Sequence, residues 1–154
     1  MRGGDISGAT FVGTPSKKVG RVAQIPVISI VDDDASARTA TTRLLRSMGF
    51  SAYAFASAQE FLSSPRLSET SCLITDVEMP GMSGVQLQEY LLAHGQRTPI
   101  IFITAFPQER VRDQAMKAGA IDFLSKPFDE ARLFECVERA LMTPQNPAGQ
   151  GAGE

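Results

Sequence analysis

The sequence predicts a three-layer α/β domain, an open and mostly parallel sheet of five strands with helices on both faces. Three observations predict it. Short apolar, often β-branched runs recur five times, and the stretches between them repeat apolar residues at helical spacing. The alternating part is flanked by Gly-, Pro-, Ser- and Thr-rich ends that cannot form a core, and it holds no internal repeat. The chain has 154 residues, 43% hydrophobic and 21% charged, which suits one globular domain with room for a buried core.

Taken in order, residues 1–25 read as a disordered N-terminal extension. Val27–Val31 (VISIV) is a short buried strand behind Pro26. From Ala35 to Met48, Ala37, Thr41, Leu44, Leu45 and Met48 share one helical face, and Gly49 ends it. FSAYAF is the second strand, and Ser57 to Glu60 has the spacing of a capping box opening a short helix that Pro65 closes. CLIT, from Cys72, is the third strand, and Ser83-Gly84 opens a helix to about His94. Pro99–Thr104 is the fourth strand, followed by a helix with Pro107 in its first turn that ends at Gly119. AIDFLS is the fifth strand. Asp129 caps the last helix, Phe128 can staple to Leu133, and Leu133, Phe134, Val137, Ala140 and Leu141 form its apolar stripe. The domain therefore spans 26–142, with 143–154 a flexible tail or linker.

Composition excludes several function classes. Net charge is −2 and Lys and Arg are scattered, so nothing argues for nucleic-acid binding within this chain. No apolar run approaches the ~18 residues of a membrane span, and the N-terminus lacks the apolar segment of a secretory signal. Cys72 and Cys136 lie in apolar patterns without metal-ligand spacing, which fits reduced core residues of a cytoplasmic protein.

The polar residues at the strand ends carry the functional signal. Ligands of open parallel sheets bind beyond the carboxyl ends of the strands. Here the first strand ends in Asp32, Asp33 and Asp34, the third in Asp76, the fourth in Thr104 and the fifth in Ser125-Lys126; the second adds nothing. Asp32, Asp33 and Asp76 at one edge repel each other more than one lysine can offset, so either their pKa values rise or a cation binds. A hard cation such as Mg²⁺ suits an all-oxygen site, and the lack of suitably placed His or Cys argues against zinc. Metal, lysine and hydroxyl together suit phosphoryl transfer, with Asp76 as candidate nucleophile.

The elements VDDD, TDVEMPGMSG, ITA and FLSKPF, in this order, resemble the receiver domain of two-component response regulators over about residues 26–142. AMKAGAIDFLSKPFD and MPGMSGVQLQ are most similar to the subfamily that usually carries a helix-turn-helix output domain. The resemblance implies a flavodoxin-like sheet of strand order 2-1-3-4-5 flanked by five helices. It implies Asp76 as phosphoacceptor, charged by a histidine kinase or phosphotransfer protein. Mg²⁺ would be bound by Asp33 and Asp76, by Asp32 through water and by the Glu78 backbone carbonyl. Thr104 would bond a phosphate oxygen, Lys126 would pair with the phosphate or, before it arrives, with Asp76, and the Lys126-Pro127 peptide is often cis in such domains. Phe123 holds the switch-aromatic position, turning inward as Thr104 moves and remodelling the face of the fourth helix, fifth strand and fifth helix. That face would meet a downstream protein target and can support a homodimer. Glu78 and Phe106 stand where they could alter the lifetime of the acyl phosphate, and Ser83 replaces a common Asp with little expected effect.

Blander readings apply to some residues. Asp34 is expected to be only a helix start, His94 a solvated helix end, and Arg38, Thr42 and Arg43 a solvated face of the first helix. Phe123 is as compatible with core packing as with switching. Three other functions compete. A haloacid-dehalogenase-like phosphatase would need a second Asp where Glu78 stands, and a substrate cap. A phosphorylation-independent interaction module is at odds with the intact site. A receiver fragment of a longer DNA-binding regulator would make 143–154 a linker. The leading expectation is a phosphoacceptor that is not an enzyme beyond self-directed phosphotransfer and autodephosphorylation.

Overall fold

The computed structural model describes residues 25–143. The expected extension and tail, residues 1–24 and 144–154, lie outside the described residues. Among the described residues five strands, β1 (Val27–Val31), β2 (Ser51–Phe55), β3 (Cys72–Asp76), β4 (Ile100–Thr104) and β5 (Asp122–Ser125), alternate with α1 (Ala35–Ser47), α2 (Ala58–Leu62), α3 (Gly84–Ala93), α4 (Glu109–Lys117) and α5 (Glu130–Leu141), and Pro65 opens a 3-10 helix, Pro65–Glu69, before β3. All strand pairs are parallel, in the order β2-β1-β3-β4-β5. Among the described residues no helix is long and apolar enough to cross a membrane.

Side-chain alternation along the strands splits the core in two. Ile28, Ile30, Cys72, Ile74, Ile101 and Ile103 face a layer that α1 and α5 cover with Leu45, Leu133, Cys136, Val137 and Ala140. Val31, Leu73, Ile100, Phe102 and Phe123 face the other layer, with Phe61 of α2, Leu87 and Leu91 of α3 and Ala115 of α4. Strands buried on both faces carry continuous apolar runs, which is why VISIV, CLIT and IIFIT show no polar alternation. Cys72 and Cys136 are buried free thiols, and burial pushes the Cys72 thiol up.

The helix starts follow local chemistry. Asp34 caps α1 by accepting from the Ser36 and Ala37 N–H groups, so the modest reading of this acid holds. Ser57 accepts from Glu60 N–H, but Glu60 Oε1 reaches back to Ala56 N–H, one residue before the cap. The complete capping box lies at α3 instead, between Ser83 and Gln86. Asp129 caps α5, and Phe128 and Leu133 pack in one layer. Two details correct the sequence reading. Pro107 lies outside α4, whose cap is Gln108. Thr42 is buried, its hydroxyl donating to the Arg38 carbonyl, and so is not part of a solvated face.

Candidate functional site

The strand order places the switch point of the sheet between β1 and β3, where successive connections leave toward opposite faces. Val31 pairs with Thr75 across these strands, so Asp32 and Asp76, one residue further, stand side by side at the carboxyl edge. β4 and β5 end level with each other, Thr104 beside Ser125, and the next residue is Lys126. A cis peptide joins Lys126 to Pro127.

Asp32 is wholly buried and Asp76 is 7% exposed. Lys126 Nζ lies between them, donating to Asp76 Oδ2 at 2.9 Å and to Asp32 Oδ2 at 3.1 Å. The other carboxylate oxygens take main-chain donors: Asp34 N–H bonds Asp32 Oδ1 at 3.0 Å, and Glu78 N–H bonds Asp76 Oδ1 at 3.1 Å. Burial pushes the Asp32 carboxyl above its usual range, against the Asp34 N–H and Lys126, which favour the charged form. Burial acts to lower Lys126, but its bonds to Asp76 and Asp32 outweigh this and hold the ammonium protonated above its usual value. Two carboxylates thus share one cation.

Asp33 is exposed and adds a third carboxylate; one oxygen from each of Asp32, Asp33 and Asp76 lies within 4.8 Å of the others. All these donors are hard oxygens, so the cluster fits a divalent cation such as Mg²⁺. Glu78 contributes to the site through its main chain, while its side chain is exposed. Thr104 is buried, and its hydroxyl accepts from Phe106 N–H at 3.1 Å, which leaves its own proton free to be donated. Asp32, Asp33, Asp76 and Lys126 therefore converge, with Thr104 at the adjoining strand end. Phe123 is 8% exposed and packs against Phe102 at 6.0 Å between ring centroids, while Phe106 is 70% exposed.

Two contributors escaped the sequence reading. Gly84 is buried where a Cβ would collide with the Asp76 carbonyl oxygen, and its N–H bonds the Val77 carbonyl at 2.8 Å. Only glycine lets α3 begin this close to the end of β3. The signal was a glycine in a first helical turn, where it costs about 1 kcal/mol relative to alanine. The other is Arg38, whose Nη1 donates to the Asp32 carbonyl at 2.7 Å, correcting its reading as a solvated side chain.

A doubly wound parallel sheet with an acid triad and a lysine at its switch point defines the class of receiver-like α/β domains. The chain belongs to that family: the response regulator receiver domain model matches residues 28–138. It is 44% identical over 114 residues to nodulation protein W of Bradyrhizobium diazoefficiens, covering 74% of this chain and 50% of that protein. It is 43% identical over 120 residues to the response regulator protein TodT of Pseudomonas putida, covering 77% and 53%. The chain spans about half the length of these curated relatives. Among solved structures, the response regulator StyR superposes with a TM-score of 0.72 at 44% identity, over 84% of this chain and 64% of that one. The FixJ-N crystal structure superposes with a TM-score of 0.71 at 35% identity, over 79% and 97%.

Proposed function

We propose that this receiver domain is a phosphoacceptor, charged on Asp76 by a histidine kinase or phosphotransfer protein, with Mg²⁺ as cofactor. The observation that carries this reading is the setting of Asp76: a nearly buried carboxylate at the switch point, oriented by Glu78 N–H and Lys126 beside two further acids. In the proposed step a carboxylate oxygen of Asp76 attacks the phosphorus of a phosphohistidine. The P–N bond breaks, imidazole departs and an aspartyl phosphate forms. Asp33 and Asp76, Asp32 through water, and the Glu78 carbonyl would hold Mg²⁺, which when bound offsets charge on the transferring phosphoryl group. Lys126 is placed to move from the carboxylate to a phosphate oxygen, and the free Thr104 proton to donate to another.

Movement of Thr104 would release Phe106 N–H and thereby couple the site to the start of α4. Phe123, packed on Phe102, is the ring that would turn as Thr104 moves, and the exposed Phe106 stands where it could shield the phosphate. The α4-β5-α5 face would pass the signal to a protein target or a second copy, in the cytoplasm, without turnover of an external substrate. A second reading has an observation of its own. The relatives are about twice as long as the matched region, and FixJ of Bradyrhizobium diazoefficiens, 40% identical over 115 residues, is a transcriptional regulatory protein. The chain would then be the receiver part of a longer DNA-binding regulator.

The test is incubation with acetyl phosphate and Mg²⁺, followed by intact mass. The wild type gains one labile phosphoryl group and Asp76→Asn gains none. A folded wild-type protein that gains none contradicts the proposal and favours a phosphorylation-independent module.

A further inference from the structure

We propose that Arg38 is a positioning residue for the divalent-cation site; this rests on the phosphoacceptor reading above. Its guanidinium reaches back from α1 to the main-chain carbonyl of Asp32 at 2.7 Å. That carbonyl belongs to the planar peptide joining Asp32 to Asp33, so holding it fixes the plane from which the Asp33 side chain departs. Asp33 has need of this. Asp32 and Asp76 are locked by main-chain donors and Lys126, whereas the Asp33 carboxylate has no hydrogen-bond or ion-pair partner among the described residues.

The clamp is itself anchored. Arg38 N–H bonds the Asp34 carbonyl at 2.9 Å, and the Arg38 carbonyl accepts from the buried Thr42 hydroxyl at 2.7 Å. Arg38 has no carboxylate partner among the described residues, unlike Arg66, Arg132 and Arg139. Its side-chain bond goes to the loop that carries two of the three acids.

Two effects oppose each other. A positive charge near the acids repels an incoming cation, while a fixed Asp32-Asp33 peptide preorganises the ligand set. The guanidinium is partly exposed and its charge is screened by solvent, whereas the short hydrogen bond acts directly on the ligand-bearing peptide. Preorganisation therefore dominates, and removing Arg38 weakens metal binding.

Calorimetric titration with Mg²⁺ tests this on the wild type, Arg38→Ala, Arg38→Gln and Arg38→Lys, with Asp33→Asn as control. Arg38→Ala is expected to bind Mg²⁺ about tenfold more weakly. Lys and Gln keep a donor and recover part of that loss; the phosphoryl uptake that Arg38→Ala loses at limiting Mg²⁺ is restored as Mg²⁺ approaches saturation. If Ala and Gln both bind Mg²⁺ more tightly than wild type, Arg38 acts through its charge and the proposal is wrong. Unchanged affinity in Arg38→Ala, or a rate deficit that saturating Mg²⁺ does not repair, also overturns it. The controls separate the two readings. If the wild type binds no Mg²⁺ and gains no phosphoryl group, the phosphoacceptor reading itself fails; if Asp33→Asn binds Mg²⁺ equally well, Asp33 is not a ligand and the role of Arg38 falls with it. If only Arg38→Ala behaves as wild type, the role of Arg38 alone falls.

Discussion

Two ends of the same sheet bury a carboxylate, and they treat it in opposite ways. At the amino end of β5, Asp122 accepts from Arg132 Nη2 and Arg139 Nη2, both at 2.9 Å, from Phe123 N–H at 2.7 Å and from the Cys136 thiol at 3.3 Å. Burial works to raise its pKa, but Arg132, the Phe123 N–H and the Cys136 thiol overcome it and hold the carboxyl down at about 2. Two cations serve one acid. At the carboxyl edge the ratio is reversed, with Asp32 and Asp76 sharing Lys126 and Asp33 beside them. An acid with surplus donors joins α5 to the sheet. Acids short of cations make a site that gains from binding one, at some cost to the stability of the empty protein.

The largest expected effect comes from breaking the carboxyl edge. Gly84→Ala forces the start of α3 away from the Asp76 carbonyl and costs about 3 kcal/mol, roughly a 10 °C fall in Tm. It also impairs phosphoryl uptake, since Asp76 moves with its carbonyl; a variant with wild-type Tm and uptake would contradict this packing argument. Asp122→Ala comes next. It removes the acid that two arginines share and costs about 2 kcal/mol in denaturant unfolding. Mg²⁺ affinity stays at the wild-type level, because the two ends share no charge.

Acid titration isolates the same contrast with a smaller effect. The Asp122 pKa is depressed in the folded protein, so its stabilisation is present above the unfolded value of about 4 and is lost as pH falls toward 2. That loss amounts to about 1–2 kcal/mol once the exposure of both arginines is allowed for. Unfolding free energies of wild type and Asp122→Asn should converge over that window. Parallel curves would show that Asp122 is not the group responsible. The smallest effect has the opposite sign. Asp32→Asn relieves the crowding of carboxylates and raises stability by about 0.5–1 kcal/mol without metal, while the protection given by added Mg²⁺ declines. A destabilised Asp32→Asn protein would mean that the Lys126 ion pair outweighs the repulsion.

Much of this was legible before the structure. Strand runs, caps and turn residues are local signals, and each of the five strands and five helices falls where they place it, within a few residues. One miss is local, at a helix start, and the others depend on what lies across a gap. Pro107 has the chemistry of a first helical turn, yet α4 begins two residues later, with Gln108 as a cap that makes no side-chain bond. Arg38 reads as a solvated arginine until the loop it grips is seen folded back against it. Nothing local marks Asp122 as the partner of arginines ten and seventeen residues downstream.

By itself, then, the sequence determined the alternation of strands and helices, the two apolar layers, and the identity of the acids, hydroxyl and lysine at the strand ends. These follow from periodicity and residue chemistry, which act over a few positions. Tertiary structure alone decided that Asp32 and Asp76 share one ammonium, that Gly84 must lack a side chain, that Phe123 lies inside while Phe106 lies outside, and that Arg38 bonds the Asp32 carbonyl. Each depends on a distance between segments far apart in the chain, or on the direction of a side chain within the fold, and a pattern of residue types encodes neither.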